Sequence, residues 1–161
     1  MGKYDSWIGK SETVDDVATE LVASRMSGLL DIAVTPRRGD AWPAAWVWAL
    51  FWHPLRHADA GPDGHAARGA FMPPIKLPRR MWAGSTVTVE RPIRVGDAVR
   101  RTSTIADISE KTGRSGALVF VTVEHEIRGD SGSLRESQRI AYREAAGQGN
   151  APAASAATTG S

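Results

Sequence analysis

In the string DGH, Asp63 and His65 put a carboxylate and an imidazole two residues apart, with His57 and Asp59 just upstream. On a glycine-hinged loop both side chains can turn toward one cavity, the arrangement that general acid–base work on a water molecule needs. The competing reading is a loop whose Asp and His side chains cap neighbouring backbone groups. Of the four histidines, His53 and His125 stand apart from this cluster. His125 shares a strand face with Val123 and Ile127, which suits a hydrogen-bonded histidine of the core or of an interface. The chain has no cysteine, so neither a thiolate metal site nor a thiolate nucleophile is expected, and no metal or cofactor is implied.

A second concentration of chemistry is PPIKLPRRMWAGS, residues 73–85. Pro73, Pro74 and Pro78 each fix their own φ and restrict the residue before them, so the stretch is expected to be a stiff, extended loop. Stiffness holds the adjoining side chains in place at a sheet edge with little ordering entropy left to lose on binding. Arg79 and Arg80 carry the planar fork that suits phosphate, and Met81 and Trp82 offer an apolar wall. Alternatively the arginines pair with carboxylates and the tryptophan is packed. Arg100–Arg101 is a second local cation pair.

The elements that must position these residues are legible as periodicities. Val14, Val17, Ala18, Leu21, Val22, Leu29 and Leu30 recur at helical spacing and predict a helix over 13–30. Thr13 would be its N-cap, with Asp15 and Asp16 in the first turn. Ser24, Ser27 and Gly28 are small enough for close packing on a sheet. The aromatic segment AAWVWALFWHPL is expected to be helical, and four of the six tryptophans (Trp42, Trp46, Trp48, Trp52) fall in or beside it. Core packing is the favoured reading of these rings over ligand contact.

From residue 85 onward the spacing becomes two. STVTVERPI places Val87 and Val89 on one face, and AVRRTSTIADIS does the same with Val99 and Ile105. ALVFVTVEHEI puts Val119, Val121, Val123 and Ile127 on one face, Leu118 and Phe120 on the other, and LRESQRIAYRE is a last strand. Short connections imply an antiparallel meander, and a helix covered by such a sheet is an α+β arrangement of the hot-dog kind.

Length and charge limit the classes. The chain has 161 residues, enough for one domain, and a net charge of +2, too small an excess to favour a nucleic-acid partner. No signal-like or membrane-spanning apolar run is present, so a cytoplasmic protein is expected. The domain is expected to span residues 1–146, and residues 147–161, small and polar throughout, read as a disordered linker or tail.

The strings DGHAARGAFMPPIKLPRRMWAGSTVTVERPIRVGD, EKTGRSGALVFVTVEHEI and ESQRIAYRE resemble the N-terminal half of MaoC-like hydratases and dehydratases, also called the FAS1-like dehydratase domain. The nearest branch holds the mesaconyl-C4-CoA hydratases and the type 2 3-hydroxyacyl-thioester dehydratases. The resemblance implies a hot-dog fold that adds water to, or removes it from, a 2-enoyl or 3-hydroxyacyl thioester of CoA or an acyl carrier. Arg79, Arg80, Met81, Trp82 and Gly84, read above for their own chemistry, are the candidate substrate-binding residues. In that family the catalytic Asp and His lie in the C-terminal half, in a motif like GDxNPxH that does not occur in these 161 residues. The expected partner is therefore a second copy or a catalytic half, in a homodimer or heterodimer, with Asp63 and His65 as the local candidates for catalysis. A non-catalytic thioester-binding or scaffolding module is the alternative.

Overall fold

The computed structural model describes residues 2–52, 55–61, 64–66, 68–113 and 116–145. Asp63, His53 and the segment 146–161 lie outside the described residues. Strand β1 (Ser11–Val17) leads into helix α1 (Glu20–Leu29), and a six-residue 3-10 helix covers Ala44–Ala49. Four strands follow: β2 (Arg79–Arg91), β3 (Ala98–Gly113), β4 (Gly116–Gly129) and β5 (Ser133–Arg143). They form one five-stranded antiparallel sheet in the order β1-β3-β4-β5-β2. This is the α+β, hot-dog arrangement expected from the sequence.

Three local expectations are corrected. The segment predicted as one helix over 13–30 is a strand followed by a helix. Thr13, Val14 and Val17 are β-branched and pair with β3, and Asp15 meets Arg100 across the strands at 2.6 Å. The N-cap is Thr19, whose hydroxyl accepts from the Val22 amide at 3.3 Å. Close packing falls to Ala23 and Ser27, both buried, whereas Gly28 faces open space. Next, Arg79 to Gly84 belong to β2 rather than to a loop. The stiff segment ends at Pro78, and the Arg68 guanidinium donates to the Ile75, Leu77 and Pro78 carbonyls and so ties that segment down. Finally, only β3, β4 and β5 form a meander. β2 pairs with β5, so the connection from β2 to β3 crosses the sheet instead of closing a hairpin.

That crossing hinges on Asp97 and Gly132. The buried Asp97 carboxylate accepts from the Arg94 and Ser131 amides and from the Ser131 hydroxyl, clamping the turn before β3 to the turn between β4 and β5. Gly132 passes so close to the Pro92 and Arg91 carbonyls that a Cβ there would run into backbone.

Two apolar clusters fill the inner face of the sheet. One joins Ala23, Trp42, Trp46, Val47, Leu50 and Phe51 to Val99, Ile127 and Leu134. The other joins Ile75, Ile105, Val119, Val121, Val123, Ile140 and Tyr142. Between them the inner face is polar. Among the described residues no helix is long and apolar enough to cross a membrane.

Candidate functional site

The gap between the two clusters is one rung of the sheet. Glu12 on β1 lies opposite Ser103 on β3, Ser103 opposite His125 on β4, and His125 opposite Glu136 on β5. Alternation explains why these polar groups point inward. Ser103 has the parity of Val99 and Ile105, His125 that of Val123 and Ile127, and Glu136 that of Leu134 and Ile140. Arg101 and Gln138 share the same parities.

The buried polar atoms of this rung find partners within it and beside it. His125 Nδ1 lies 2.8 Å from Ser103 Oγ. Glu136 is only 3% exposed, and its two oxygens each accept from the Trp48 indole N–H at 3.0 Å. The Ser85 hydroxyl donates to the same carboxylate at 2.5 Å and accepts from the Trp82 indole N–H at 3.1 Å. One buried carboxylate thus fixes the orientation of two exposed tryptophans, whose rings meet edge-on with centroids 6.1 Å apart. Burial holds the His125 imidazole below its ordinary pKa. The Glu136 carboxylate works against that shift, and the Arg101 cation adds to it.

Arg101 enters the gap from β3 with its guanidinium over the Phe51 ring, 4.9 Å from the centroid. Phe51 is held in the left-handed region, at φ 64°, a conformation a bulky residue rarely adopts without a tether. The tether is Asp16, whose carboxylate accepts from the Phe51 amide at 2.6 Å. Arg101 Nε is buried with no hydrogen-bond partner among the described residues, and burial lowers the pKa of the guanidinium.

A cavity of about 370 Å³ opens over this rung. Phe71, Met72, Val123 and Ile140 give it apolar walls; Glu12, Arg80, Arg101, His65, His125 and Gln138 give it polar ones. A second hollow, lined by Trp48, Trp82 and Gln138, adjoins it through Gln138. Chemically, the cavity offers a neutral imidazole hydrogen-bonded to a hydroxyl, two guanidinium groups and room for a short acyl chain. Donors and cations of this sort stabilise negative charge on an oxygen where water is largely excluded.

The sequence-predicted residues divide around this cavity. His65 and Arg80 line it. Trp82 belongs to the adjoining hollow, and Gly84 lines a shallow depression with Asp107 and Arg139. Arg79 lies opposite Arg143 in register, and Met81 is exposed. Asp63 is outside the described residues, so no distance to His65 is defined; Asp59 forms an ion pair with Arg56 at 2.6 Å. The four tryptophans split as well: Trp42 and Trp46 are core, 4% and 5% exposed, whereas Trp48 and Trp52 are 48% and 81% exposed. Among the described residues no cluster of His, Asp and Glu could hold a metal ion.

Ser103 and Glu12 belong to no motif that the sequence displays, Glu136 and Gln138 stand in it only within the string ESQRIAYRE, and Arg101 stands out only as half of a cation pair. Their signal lies in the parity of β1, β3 and β5, where polar residues alternate in step with the core-facing Val14, Val99, Ile105, Leu134 and Ile140.

Comparison with known proteins agrees with this architecture. The hydroxyacyl-thioester dehydratase type 2 family matches residues 45–160. The chain is 37% identical over 141 residues to mesaconyl-C(4)-CoA hydratase of Chloroflexus aurantiacus, covering 86% of this chain and 50% of that protein. It therefore spans about half the length of this curated relative. In fold, it resembles a chain of the ChsH1-ChsH2 complex of Mycobacterium tuberculosis, with a TM-score of 0.63 at 16% identity, over 86% of this chain and 85% of the other. It likewise resembles a chain of the C-terminally truncated HadBC (3R-hydroxyacyl-ACP dehydratase) complex of the same organism, with a TM-score of 0.53 at 11% identity, over 83% and 96%. By sequence, the chain belongs to the hydroxyacyl-thioester dehydratase type 2 family.

Proposed function

We propose that this chain is the hot-dog half of an acyl-thioester hydratase or dehydratase, with residues 1–146 as the working unit. Its inner-face cavity receives the acyl thioester, and a partner half supplies the acid and base. The observation that carries this reading is the cavity itself: apolar walls from Phe71, Met72, Val123 and Ile140 beside Arg80, Arg101 and a neutral His125. The reaction splits water across a 2-enoyl thioester, adding hydroxide to C3 and then a proton to C2, and the thioester oxygen carries negative charge between the two steps. Cations and N–H donors near that oxygen lower the barrier. Glu136, the carboxylate opposite His125, is occupied by Trp48 and Ser85. The proposed assembly pairs the chain with a second hot-dog half, in keeping with its covering half of its curated relative.

A non-catalytic thioester-binding module is the second reading, favoured by the same occupied Glu136. Hydration of crotonyl-CoA, followed for the chain alone and for the chain mixed with a C-terminal-type hot-dog half, separates the two. The expected result is turnover by the complex and none by the chain alone. Turnover by the chain alone would place the acid and base within this half. A stable complex that binds crotonyl-CoA without turning it over would favour the binding module.

A further inference from the structure

The outer face of the sheet divides into two halves that treat their cations differently. Toward the turn between β4 and β5, each arginine has a carboxylate: Arg100 meets Asp15 at 2.6 Å, Arg128 meets Glu126 at 2.7 Å and Arg135 meets Glu90 at 2.8 Å. Toward the start of β2 and the end of β5, no ion pair forms among the described residues. Arg79 lies opposite Arg143, Arg143 opposite Leu118 and Leu118 opposite Lys111, so one row across four strands carries three cations. Like charges directly opposite one another weaken a sheet. The next row is apolar, Met81–Ala141–Phe120, and the third holds Arg139, with Thr122 between it and Asp107. Arg139 and Lys111 lie over the Phe120 ring, 4.3 and 5.7 Å from its centroid. Two other carboxylates at this end face elsewhere. Glu110 lies opposite the inward-facing Val119, and the Glu144 carboxylate sits against Gly116. Asp63 lies outside the described residues and outside the ranges of these strands.

We propose that this half of the outer face docks an acidic amphipathic helix of a partner protein, its apolar stripe on Met81 and Phe120 and its carboxylates on the flanking cations. The spacing suits a helix laid across the strands. Arg143 and Arg139 are four residues apart on β5, about 14 Å, and they bracket the apolar row, while a helix with its side chains is about 10–12 Å across. Charge complementarity favours this occupant over the alternatives. A nucleic acid would leave the apolar row unused, and a bilayer needs more apolar surface than one methionine and a half-buried phenylalanine offer. The face lies on the opposite side of the sheet from the inner cavity, so the inference goes beyond the thioester reading and stands or falls separately from it.

Fluorescence anisotropy of the full chain with a labelled, stapled helix whose leucine stripe is flanked by glutamates tests this, against the same helix with lysines in their place. The glutamate helix is expected to bind saturably, more weakly as salt rises, and at least about tenfold tighter than the lysine helix. Arg139→Glu combined with Arg143→Glu removes two contacts and adds repulsion, and is expected to weaken binding about tenfold or more. Arg135→Glu, in the half whose arginines are already paired, should change it little. Should the double variant's melting curve show a folding defect, Lys111→Glu, on the exposed surface, is expected to weaken binding severalfold in a folded protein. Equal binding of the two helices, no binding of the glutamate helix, or an equal loss from Arg135→Glu would overturn the docking surface. Binding of phosphatidylglycerol vesicles through these same cations, without binding of the helix, would overturn it in favour of a membrane contact.

Discussion

At the residue scale, the buried rung makes two predictions. The His125 imidazole is held below 6.5 mainly by burial, so the folded state resists protonating it. Above 6.5 its stabilising contribution is fully present. As pH falls through the folded-state pKa, the unfolded chain binds the proton first and that contribution is lost. Denaturant unfolding measured down from pH 8 should thus show stability falling below about 6.5, the ordinary histidine value. His125→Gln should flatten that slope. The second concerns Glu136, which is the shared acceptor for Trp48 and Ser85. Glu136→Ala strands these donors and should cost about 1–3 kcal/mol, while releasing the indoles of Trp48 and Trp82. Urea unfolding reads the first effect and tryptophan fluorescence the second. The sequence disclosed His65 and Arg80 because loop chemistry and an Arg-Arg pair are visible as strings. It hid Glu136, Gln138 and Ser103, because a polar residue in an alternating strand looks solvent-facing until the parity of its apolar neighbours is fixed.

Among the elements, the strongest strand was the easiest to read. Val119, Val121, Val123 and Ile127 are all buried on one face, as their spacing of two demands. The N-terminal segment misled because Val14, Val17, Ala18, Leu21 and Val22 satisfy a helical stripe and a strand-then-helix equally well. Partners distant in sequence decide between them, and residues 11–17 pair with 98–104. The true boundary is marked by Thr19, whose side chain caps α1. Thr19→Ala should therefore lower stability by about 0.5–2 kcal/mol, whereas Thr13→Ala, at the cap position the stripe suggested, should remove no cap at all. The strand order was not legible for a related reason: β2 finds β5 through the Asp97 clamp and the tight passage at Gly132, neither of which has a periodic signature. Gly132→Ala must push backbone apart, and an overpacking cost of about 1–3 kcal/mol is expected in chemical denaturation.

For the whole molecule, the sheet ends on β1 at one side and β2 at the other, each with one neighbour among the described strands. Unpaired strand edges are normally covered or paired. β2 also presents Met81, Trp82 and Val89 to solvent, and Leu29, Leu30, Ile32 and Val34 form a second exposed apolar stretch at the end of α1 and beyond it. The chain is accordingly expected to sediment as a dimer, or to shift to a heterodimer when a second hot-dog half is added. A stable monomer under both conditions would count against the proposed assembly. The proposed function, however, depends first on where a thioester binds. The most direct measurement is nuclear magnetic resonance of the isotope-labelled chain titrated with crotonyl-CoA. Inner-face resonances of Arg101, Ser103, His125 and Gln138 should move together and saturate, with outward-facing Thr122 and Phe120 unmoved. Saturable shifts confined to the outer face, or no saturable shift on the inner rung, would contradict a thioester site in this cavity.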